Sequence, residues 1–269
     1  IKKDLQQSTD EQILCRAYGY PVRSMTSLLP KFSTSVNVLS DEPNQYGMKF
    51  PDISDTEKFT TYQVVDPAGN RNFTSIWGAV NKDGEIYIKK EFPDLNTYGE
   101  WAIFGDPRWR FGPASKKIGY DIAGYADLFK EIEQEEGLRV FERIGDSRYF
   151  ARENENNEDL FLSFSDCGMD FVPSSGKQER EGIIKLDEWF DYNENVKIDL
   201  ANMPRCYIHE DCGNLIESIT HYNANGKSDE CLKDFFDVLR YFRMANDGRG
   251  PDFVNAQSLQ VTRKNIGGY

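Results

Sequence analysis

Three short apolar runs follow one another between residues 61 and 92 and are separated by polar turns. They read TYQVV at 61–65, FTSIWGAV at 73–80 and EIYIKKEF at 85–92, and they are rich in β-branched and aromatic residues, which favour strands. The connections are PAGNRN and NKDG, and the Asp83-Gly84 step in the second is a strong hairpin signal. The pattern predicts three consecutive strands, with the second and third paired antiparallel.

The apolar spacing becomes helical after a stretch rich in Gly, Pro and aromatic residues at 93–120. DIAGYADLFKEIEQEEG at 121–137 has the period of a helix, and Gly137 is a natural end for it. LRVFERIGDSRYF at 138–150 predicts a fourth strand, whereas the acidic, Asn-rich segment 153–159 predicts a loop. Further helices are predicted at 179–192, 213–222 and 228–242, of which the last is strongly amphipathic.

The order of these elements indicates the fold class. A meander of strands, a helix, a fourth strand and then more helices favours an α/β or α+β fold with one mixed sheet flanked by helices. The order is not a regular βαβ series, and no G-x-G-x-x-G sequence follows a strand. A dinucleotide-binding unit is therefore disfavoured.

The first 60 residues have a different character from the strand region. They contain a short helical pattern, STDEQILCRAYG, followed by the polar, proline-punctuated SVNVLSDEPNQYGMKFPDISD. We expect 1–59 to be an extended lead-in, 60–245 to be the main domain and 246–269 to be a C-terminal tail. Because the chain begins at Ile1 rather than Met, we expect it to be an excised or processed fragment.

The composition of the chain limits the kinds of partner that it is expected to bind. With 39% hydrophobic residues and no long apolar run, the sequence predicts no membrane span. The net charge of −13 argues against nucleic-acid binding through overall basicity, so such a partner would need a local basic strip. Two basic clusters could form such a strip. The first comprises Arg108, Arg110, Lys116 and Lys117 around Trp109. The second lies near the C-terminus and comprises Arg240, Arg243, Arg249, Arg263 and Lys264. We expect any nucleic-acid contact to be made by the first cluster, since a guanidinium beside an aromatic ring suits a nucleic-acid groove.

Several familiar chemistries are disfavoured by spacing. Cys206, His209 and Cys212 resemble metal ligands but lack a fourth partner, so a short strand before a helix, with buried thiols, is favoured. Gly226-Lys227-Ser228 resembles the end of a phosphate-binding loop, but His221 stands where that motif needs its first glycine. We therefore expect no nucleotide site. With two histidines and no G-x-S-x-G sequence, a nucleophilic triad is also disfavoured.

Carboxylates remain as candidates for chemistry. Asp66 closes one apolar strand, Asp146 follows another, and Asp237 lies in the last helix with Asp234 one turn earlier. If the two strands are neighbours and the helix packs across them, these oxygens form the ligand set that Mg²⁺ or Mn²⁺ prefers. Each residue also has an ordinary interpretation: Asp66 as a turn residue, Asp146 as a cap, and Asp234 and Asp237 on a solvent-exposed helix face.

A family resemblance is carried by five stretches in a fixed order. They are VVDPAGNRNFTSIWGAVNKDGEIYIKKEF, RVFERIGDSRYF, GIIKLDEWF, RCYIHEDCGNLIESITHY and LKDFFDVLRYF. Over residues 60–245 the chain resembles the C-terminal nuclease domain of the large terminase subunits of tailed bacteriophages. Two positions depart from the family pattern: Asn72 stands where many relatives have an acid, and Ser147 replaces a frequent proline.

The resemblance implies an RNase H-like fold and a two-metal endonuclease that cuts concatemeric viral DNA during genome packaging. It implies that Asp66 bridges two divalent cations, Mg²⁺ or Mn²⁺, that Asp146 holds one of them, and that Asp237 completes the site, with Asp234 as a further ligand. The implied partners are double-stranded DNA, the portal protein, the small terminase subunit and the ATPase motor domain preceding this segment, in the cytoplasm of the host cell. The alternatives are another RNase H-like nuclease, of resolvase or transposase type, and a packaging module that binds without cutting.

Overall fold

The described residues form a mixed sheet of seven strands with helices on both faces. The computed structural model describes residues 27–67, 72–99, 121–150, 158–175, 179–199, 201–222 and 230–254. The strands are β1 (Val38–Leu39), β2 (Phe59–Asp66), β3 (Thr74–Asn81), β4 (Ile86–Phe92), β5 (Val140–Gly145), β6 (Phe171–Pro173) and β7 (Cys206–His209). Their order across the sheet is β1-β7-β4-β3-β2-β5-β6.

The pairing of the strands confirms the predicted sheet. β2, β3 and β4 form an antiparallel meander, and Gly84 takes a positive φ of 78° in the β3–β4 turn. β5 pairs with β2 in parallel, β6 pairs with β5 in parallel, and β7 pairs in parallel with both β4 and β1. Because only β3 runs the other way, the carboxyl ends of the other six described strands lie along one edge of the sheet.

The helices divide between the two faces. The first five are α1 (Thr34–Asn37), α2 (Leu95–Tyr98), α3 (Ile122–Glu135), α4 (Ser147–Phe150) and α5 (Glu158–Asp166). The others are α6 (Glu179–Asp187), continued by a 3₁₀ helix (Glu188–Phe190), α7 (Gly213–His221), α8 (Glu230–Arg243) and α9 (Ala245–Gly248). One buried cluster joins α6, α7 and α8 to the even-numbered residues of β2, and the other joins α3 and α5 to its odd-numbered residues.

Helix α8 lies directly on the sheet because its apolar face is aromatic and one strand residue is small. Phe235, Phe236 and Phe242 are buried, and the helix packs against β2, β3 and β5. A Cβ atom on Gly78 of β3 would lie 2.7 Å from Ile88 Cδ1 and 2.8 Å from Phe242 Cε1. Glycine at this position therefore allows the close approach of helix to sheet.

Several predicted elements change in extent. The strand predicted over 138–150 ends at Gly145, because Asp146 caps the short helix α4. Strand β6 and the sheet pairing of β1 lie outside the elements predicted from the sequence. The N-terminal helical pattern and the Gly-Lys-Ser turn lie outside the described residues.

Residues on both sides of the main domain contact it. Leu29, Leu39 and Phe50, from the segment expected to be a lead-in, lie in the buried clusters. At the other end, Tyr62 donates to the backbone oxygen of Asp252 at 2.5 Å. The boundaries of the three predicted segments stay predictions. Among the described helices, none combines the length and apolar content that crossing a bilayer requires.

Candidate active site

Asp66 and Asp146 lie beside each other at the edge where the parallel strands end. Asp66 is the last residue of β2, Asp146 directly follows β5, and the pairing register places Val65 opposite Gly145. The next residue on each strand is the aspartate, so the two carboxylates share one region of the sheet edge. Both residues are buried, since Asp66 is 5% exposed and Asp146 is 2% exposed.

Asp234 and Asp237 approach the same region from helix α8. They are 5% and 4% exposed, so the solvent-exposed helix face considered for them is wrong. Helix α8 packs against β2, whose last residue is Asp66, and against β5, which Asp146 directly follows. The pKa of Asp66 is raised well above its usual value, first by burial and then by the charges of Asp237, Asp146 and Asp234. The other three acids therefore lie close enough to Asp66 to act on its charge.

Asp146 is held by an arginine and a tyrosine. Its Oδ2 atom accepts hydrogen bonds from Arg148 Nε at 2.7 Å and from the hydroxyl of Tyr241 at 2.9 Å, and its Oδ1 atom accepts from the Arg148 backbone N–H at 2.8 Å. The bond to Asp146 raises the pKa of Arg148, whose side chain is 69% exposed. Asp146 thus also serves as the local cap that its sequence position suggested.

Asp237 has its own cationic neighbour. Arg240, one turn later on α8, donates to Asp237 Oδ1 from Nε at 3.1 Å and from Nη2 at 3.0 Å. Both side chains are almost fully buried, at 5% and 6% exposure. Burial raises the pKa of Asp237, and Arg240 opposes that rise. The pair offsets part of the negative charge of the cluster.

Two buried hydroxyl groups flank the acids without a hydrogen-bond partner among the described residues. Thr74, the cross-strand partner of Asp66, is fully buried, and its Oγ1 atom is unpaired. Ser174, one residue beyond β6, is 2% exposed, and its Oγ atom is also unpaired. Buried polar groups in native proteins are nearly always paired, so these atoms indicate a site with capacity for a polar ligand.

The donor set fits a divalent cation in its chemistry. Four buried carboxylates and two unpaired hydroxyls are all oxygen donors, as Mg²⁺ and Mn²⁺ require, and a cation would relieve the repulsion among the acids. As the side chains stand, no group of three acidic, histidine or cysteine residues in the described part of the chain is arranged to hold a metal ion. Asp146 and Asp237 are engaged instead by Arg148 and Arg240.

The structure describes some of the other residues singled out from the sequence. Cys206 and Cys212 are fully buried in a strand and before a helix, as favoured from the sequence, and burial raises the pKa of both thiols. His209 Nδ1 accepts the backbone N–H of Asp211 at 3.2 Å. The predicted DNA contacts, Arg108, Trp109, Arg110, Lys116 and Lys117, lie outside the described residues. Asn72 is buried, with its Oδ1 atom 3.5 Å from the hydroxyl of Tyr125.

The contacts that surround the four acids were not predicted from the sequence. Arg240 was assigned to a basic cluster, but its pairing with Asp237 could have been found, because an aspartate and an arginine three residues apart on a helix face each other. Arg148 follows Asp146 too closely in sequence for helical or strand spacing to show a contact. Thr74 could be placed opposite Asp66 only once the β2–β3 register was known, and Ser174 depends on β6, whose three residues give no periodic signal.

The topology defines the class of fold. The fold is RNase H-like, since five strands have the order β4-β3-β2-β5-β6. The first three of these form an antiparallel meander, the other two are parallel to β2, and acids lie at the ends of β2 and β5.

Solved structures of phage terminases are similar to this chain. The nuclease domain of the P22 large terminase matches 78% of this chain and 88% of its own length, at 16% identity and a TM-score of 0.47. A large terminase from a thermophilic bacteriophage matches 80% of this chain, at 15% identity and a TM-score of 0.48. The match covers 44% of that longer protein. No model of a protein family matches the sequence, and the search of curated proteins gives no significant match.

Proposed function

We propose that the chain is a metal-dependent DNA endonuclease that cuts concatemeric viral DNA during genome packaging. The observation that carries the proposal is the position of Asp66: a buried carboxylate at a strand end, with three other acids acting on its charge. Such a cluster is costly to maintain without a counter-charge, and divalent cations are the usual one. The order of the terminase-like motifs supports the choice of viral DNA as substrate.

Each acid has a proposed role. Asp66 would help to hold both cations, because the charges of Asp146 on the neighbouring strand and of the two acids of α8 all act on it. Asp146 would hold one cation, and Asp237, with Asp234, would complete the ligand set. When bound, the cations would activate water for attack on the phosphodiester and stabilise the leaving oxygen. The carboxylates act as ligands rather than as proton donors.

The residues around the acids orient them. Tyr241 donates to Asp146 Oδ2, and Arg240 donates to Asp237, so each carboxylate has one oxygen fixed by a neighbour on α8. Arg148 contacts Asp146 from the exposed side, with most of its side chain in solvent. We infer that this guanidinium is placed to face the phosphate backbone of DNA at the mouth of the site.

The partners follow from the same proposal. Double-stranded DNA would be the substrate, with a portal protein, a small terminase subunit and an ATPase motor domain of the same polypeptide as packaging partners in the host cytoplasm. The net charge of −13 disfavours tight DNA binding by this segment alone. We expect weak, salt-sensitive binding and little sequence preference in cutting.

One observation favours a second candidate, a packaging module that binds without cutting. Arg148 and Arg240 already neutralise two of the four acids, as a cation would. A chain that had lost its cations could keep the fold through such pairs. Cleavage and metal binding separate the two candidates.

The deciding experiment is cleavage of supercoiled plasmid with Mn²⁺ by the chain and by Asp66→Asn and Asp237→Asn variants. Loss of a cation ligand removes several kcal/mol of transition-state stabilisation, so each variant is expected to cut at least about 100-fold more slowly. Asp127→Asn, an exposed acid on α3, is the matched control and is expected to cut like the parent chain. Equal rates for all four proteins would contradict the site assignment, and absence of cutting by all four would favour the binding module.

A further inference from the structure

Four oxygen-bearing side chains form a row across the sheet edge, each located at or just beyond the terminus of one of four adjacent strands. In the order β3, β2, β5, β6 they are Thr74, Asp66, Asp146 and Ser174. The two acids are in the middle, and a hydroxyl lies on each side. The two halves of the row are far apart in the sequence, so only the sheet brings them together.

Thr74 is fixed next to Asp66 by the antiparallel register. The two residues are direct partners in the β2–β3 ladder, so their side chains lie on the same face, with Cβ atoms about 4.5 to 5.5 Å apart. Thr74 is fully buried, and its Oγ1 atom has no hydrogen-bond partner in the described part of the chain. The side chain next to Asp66 therefore carries a hydroxyl whose donor and acceptor are unused.

Ser174 is fixed on the other side by its backbone. Its N–H donates to the carbonyl of Gly145 at 2.8 Å, which continues the β5–β6 ladder by one residue and places Ser174 beside Asp146. The next residue, Ser175, hydrogen-bonds the carbonyl of Met244 through its backbone N–H and its hydroxyl. Hydrogen bonds to Gly145 and Met244 thus fix the backbone at Ser174 and Ser175, yet the Ser174 hydroxyl has no partner among the described residues.

A buried hydroxyl without a partner costs about 1 to 3 kcal/mol. Two such groups on either side of two carboxylates are best explained by a ligand that carries its own hydrogen-bonding atoms. Mg²⁺ and Mn²⁺ in carboxylate sites keep several bound waters, and those waters need acceptors and donors at the rim of the site.

We propose that the hydroxyls of Thr74 and Ser174 hydrogen-bond the water shell of divalent cations held by Asp66 and Asp146. The inference rests on the proposed function, since it requires that the acids bind a cation. Thr74 and Ser174 are then positioning residues, which act through the bound waters and make no direct contact with the metal.

Hydroxyls that act only through cation-bound water differ from structural hydroxyls in the metal-free protein. Without metal the hydroxyls stabilise nothing, so replacing Thr74 by the isosteric valine leaves the metal-free protein equally stable or more stable. With metal the same change removes a hydrogen bond to a coordinated water. Outer-shell partners of this kind are worth about 10- to 100-fold in metal affinity.

The test is calorimetric titration of the whole chain with Mn²⁺, together with thermal unfolding of the metal-free protein. Thr74→Val and Ser174→Ala are each expected to raise the Mn²⁺ dissociation constant about 10-fold or more without lowering the unfolding temperature. Thr74→Ser, which keeps the hydroxyl, is expected to restore much of the affinity. Thr60→Val is the control, because Thr60 Oγ1 is already paired with the backbone of Val254; it is expected to lower stability and leave Mn²⁺ affinity unchanged.

The outcomes separate this inference from the proposed function. If the parent chain binds Mn²⁺ and the Thr74 and Ser174 variants bind it within about twofold of the parent, the inference is wrong and the proposed function stands. If the metal-free variants unfold well below the parent, the hydroxyls have partners within the fold and the inference is again wrong. If the parent chain itself binds no Mn²⁺, the proposed metal-dependent function fails and the inference fails with it.

Discussion

Two buried carboxylates at strand ends, Glu91 and Asp66, lie in opposite electrostatic surroundings. Glu91 accepts the backbone N–H groups of Asn214 at 2.9 Å, Leu215 at 2.7 Å and Leu95 at 3.3 Å. Two of these donors open helix α7, where unpaired N–H groups favour an anion. Asp66 instead has acids for neighbours. Glu91 is thus suited to joining helix and sheet, and Asp66 to binding a cation.

Glu91 gives a prediction for pH dependence. Burial raises its pKa to about 8, against the opposing effect of its three N–H donors. The folded state then binds this proton more tightly than the unfolded state, so stability falls as pH rises from about 4.5 to about 8. We expect the free energy of unfolding by urea to fall between pH 5 and pH 8.5, and the fall to be about 1 to 3 kcal/mol smaller in Glu91→Gln.

The control for this prediction is Glu181→Gln. Glu181 forms a partly exposed i,i+4 pair with Lys185, so its replacement by glutamine is expected to give the same pH profile as the parent. A Glu91→Gln profile parallel to that of the parent would show that Glu91 does not titrate in this range.

At the residue scale, the sequence predicted acids at strand ends but could not distinguish their surroundings. Asp66 and Asp146 were found because each ends an apolar run. Glu91 was not, since strict alternation along β4 places it on the other face of the sheet. The β3–β4 ladder has an irregularity at Trp77 and Gly78, which shifts the alternation and turns Glu91 towards α7. A bulge of this kind leaves no mark in the hydrophobic pattern.

At the scale of elements, the junction between β5 and α4 sets the position of Asp146. Gly145 ends the strand, and a Cβ atom there would lie 2.7 Å from Cγ of the fully buried Phe150 and closer still to other atoms of its ring. Phe150 also packs against Phe171 of β6, so the ring cannot easily move aside. The glycine therefore allows the chain to turn into α4 directly after the site.

Gly145→Ala tests this junction. Overpacking of a buried aromatic contact is expected to lower the free energy of unfolding by about 1 to 3 kcal/mol or more, measured by urea denaturation. Gly84→Asn is the control, because Gly84 has open space around it and asparagine tolerates its positive φ; a loss below about 1 kcal/mol is expected. An alanine variant as stable as the parent would mean that Phe150 has room to shift.

The predictability of the elements follows their length. The three meander strands, the fourth strand and helices α3, α7 and α8 were predicted because each has enough residues to show a period. β1 and β6 have two and three residues, too few for any periodic signal, and their place depends on partners distant in sequence. Helix α5 begins at Glu158, inside the segment predicted as a loop. The start of this helix was not predicted because the acidic residues before it obscure its apolar spacing.

At the scale of the whole molecule, the fold concentrates charge at one edge of the sheet. Six of the described strands end there, and α8 adds Asp234 and Asp237 to the acids of β2 and β5. The sequence indicated this convergence only on the condition that the two strands are neighbours and that the helix packs across them. It could not predict that Arg148 and Arg240 would pair with two of the acids, since those contacts depend on the detailed placement of α4 and α8.

The central claim is that these acids bind divalent cations, and anomalous X-ray scattering from crystals grown with Mn²⁺ tests it most directly. The account predicts anomalous peaks in contact with the carboxylates of Asp66 and Asp146 and with at least Asp237 from α8, and the loss of these peaks in crystals of Asp66→Asn. Crystals of the parent chain at saturating Mn²⁺ with no peak at these carboxylates, or with peaks only at exposed acids such as Asp52, would contradict it.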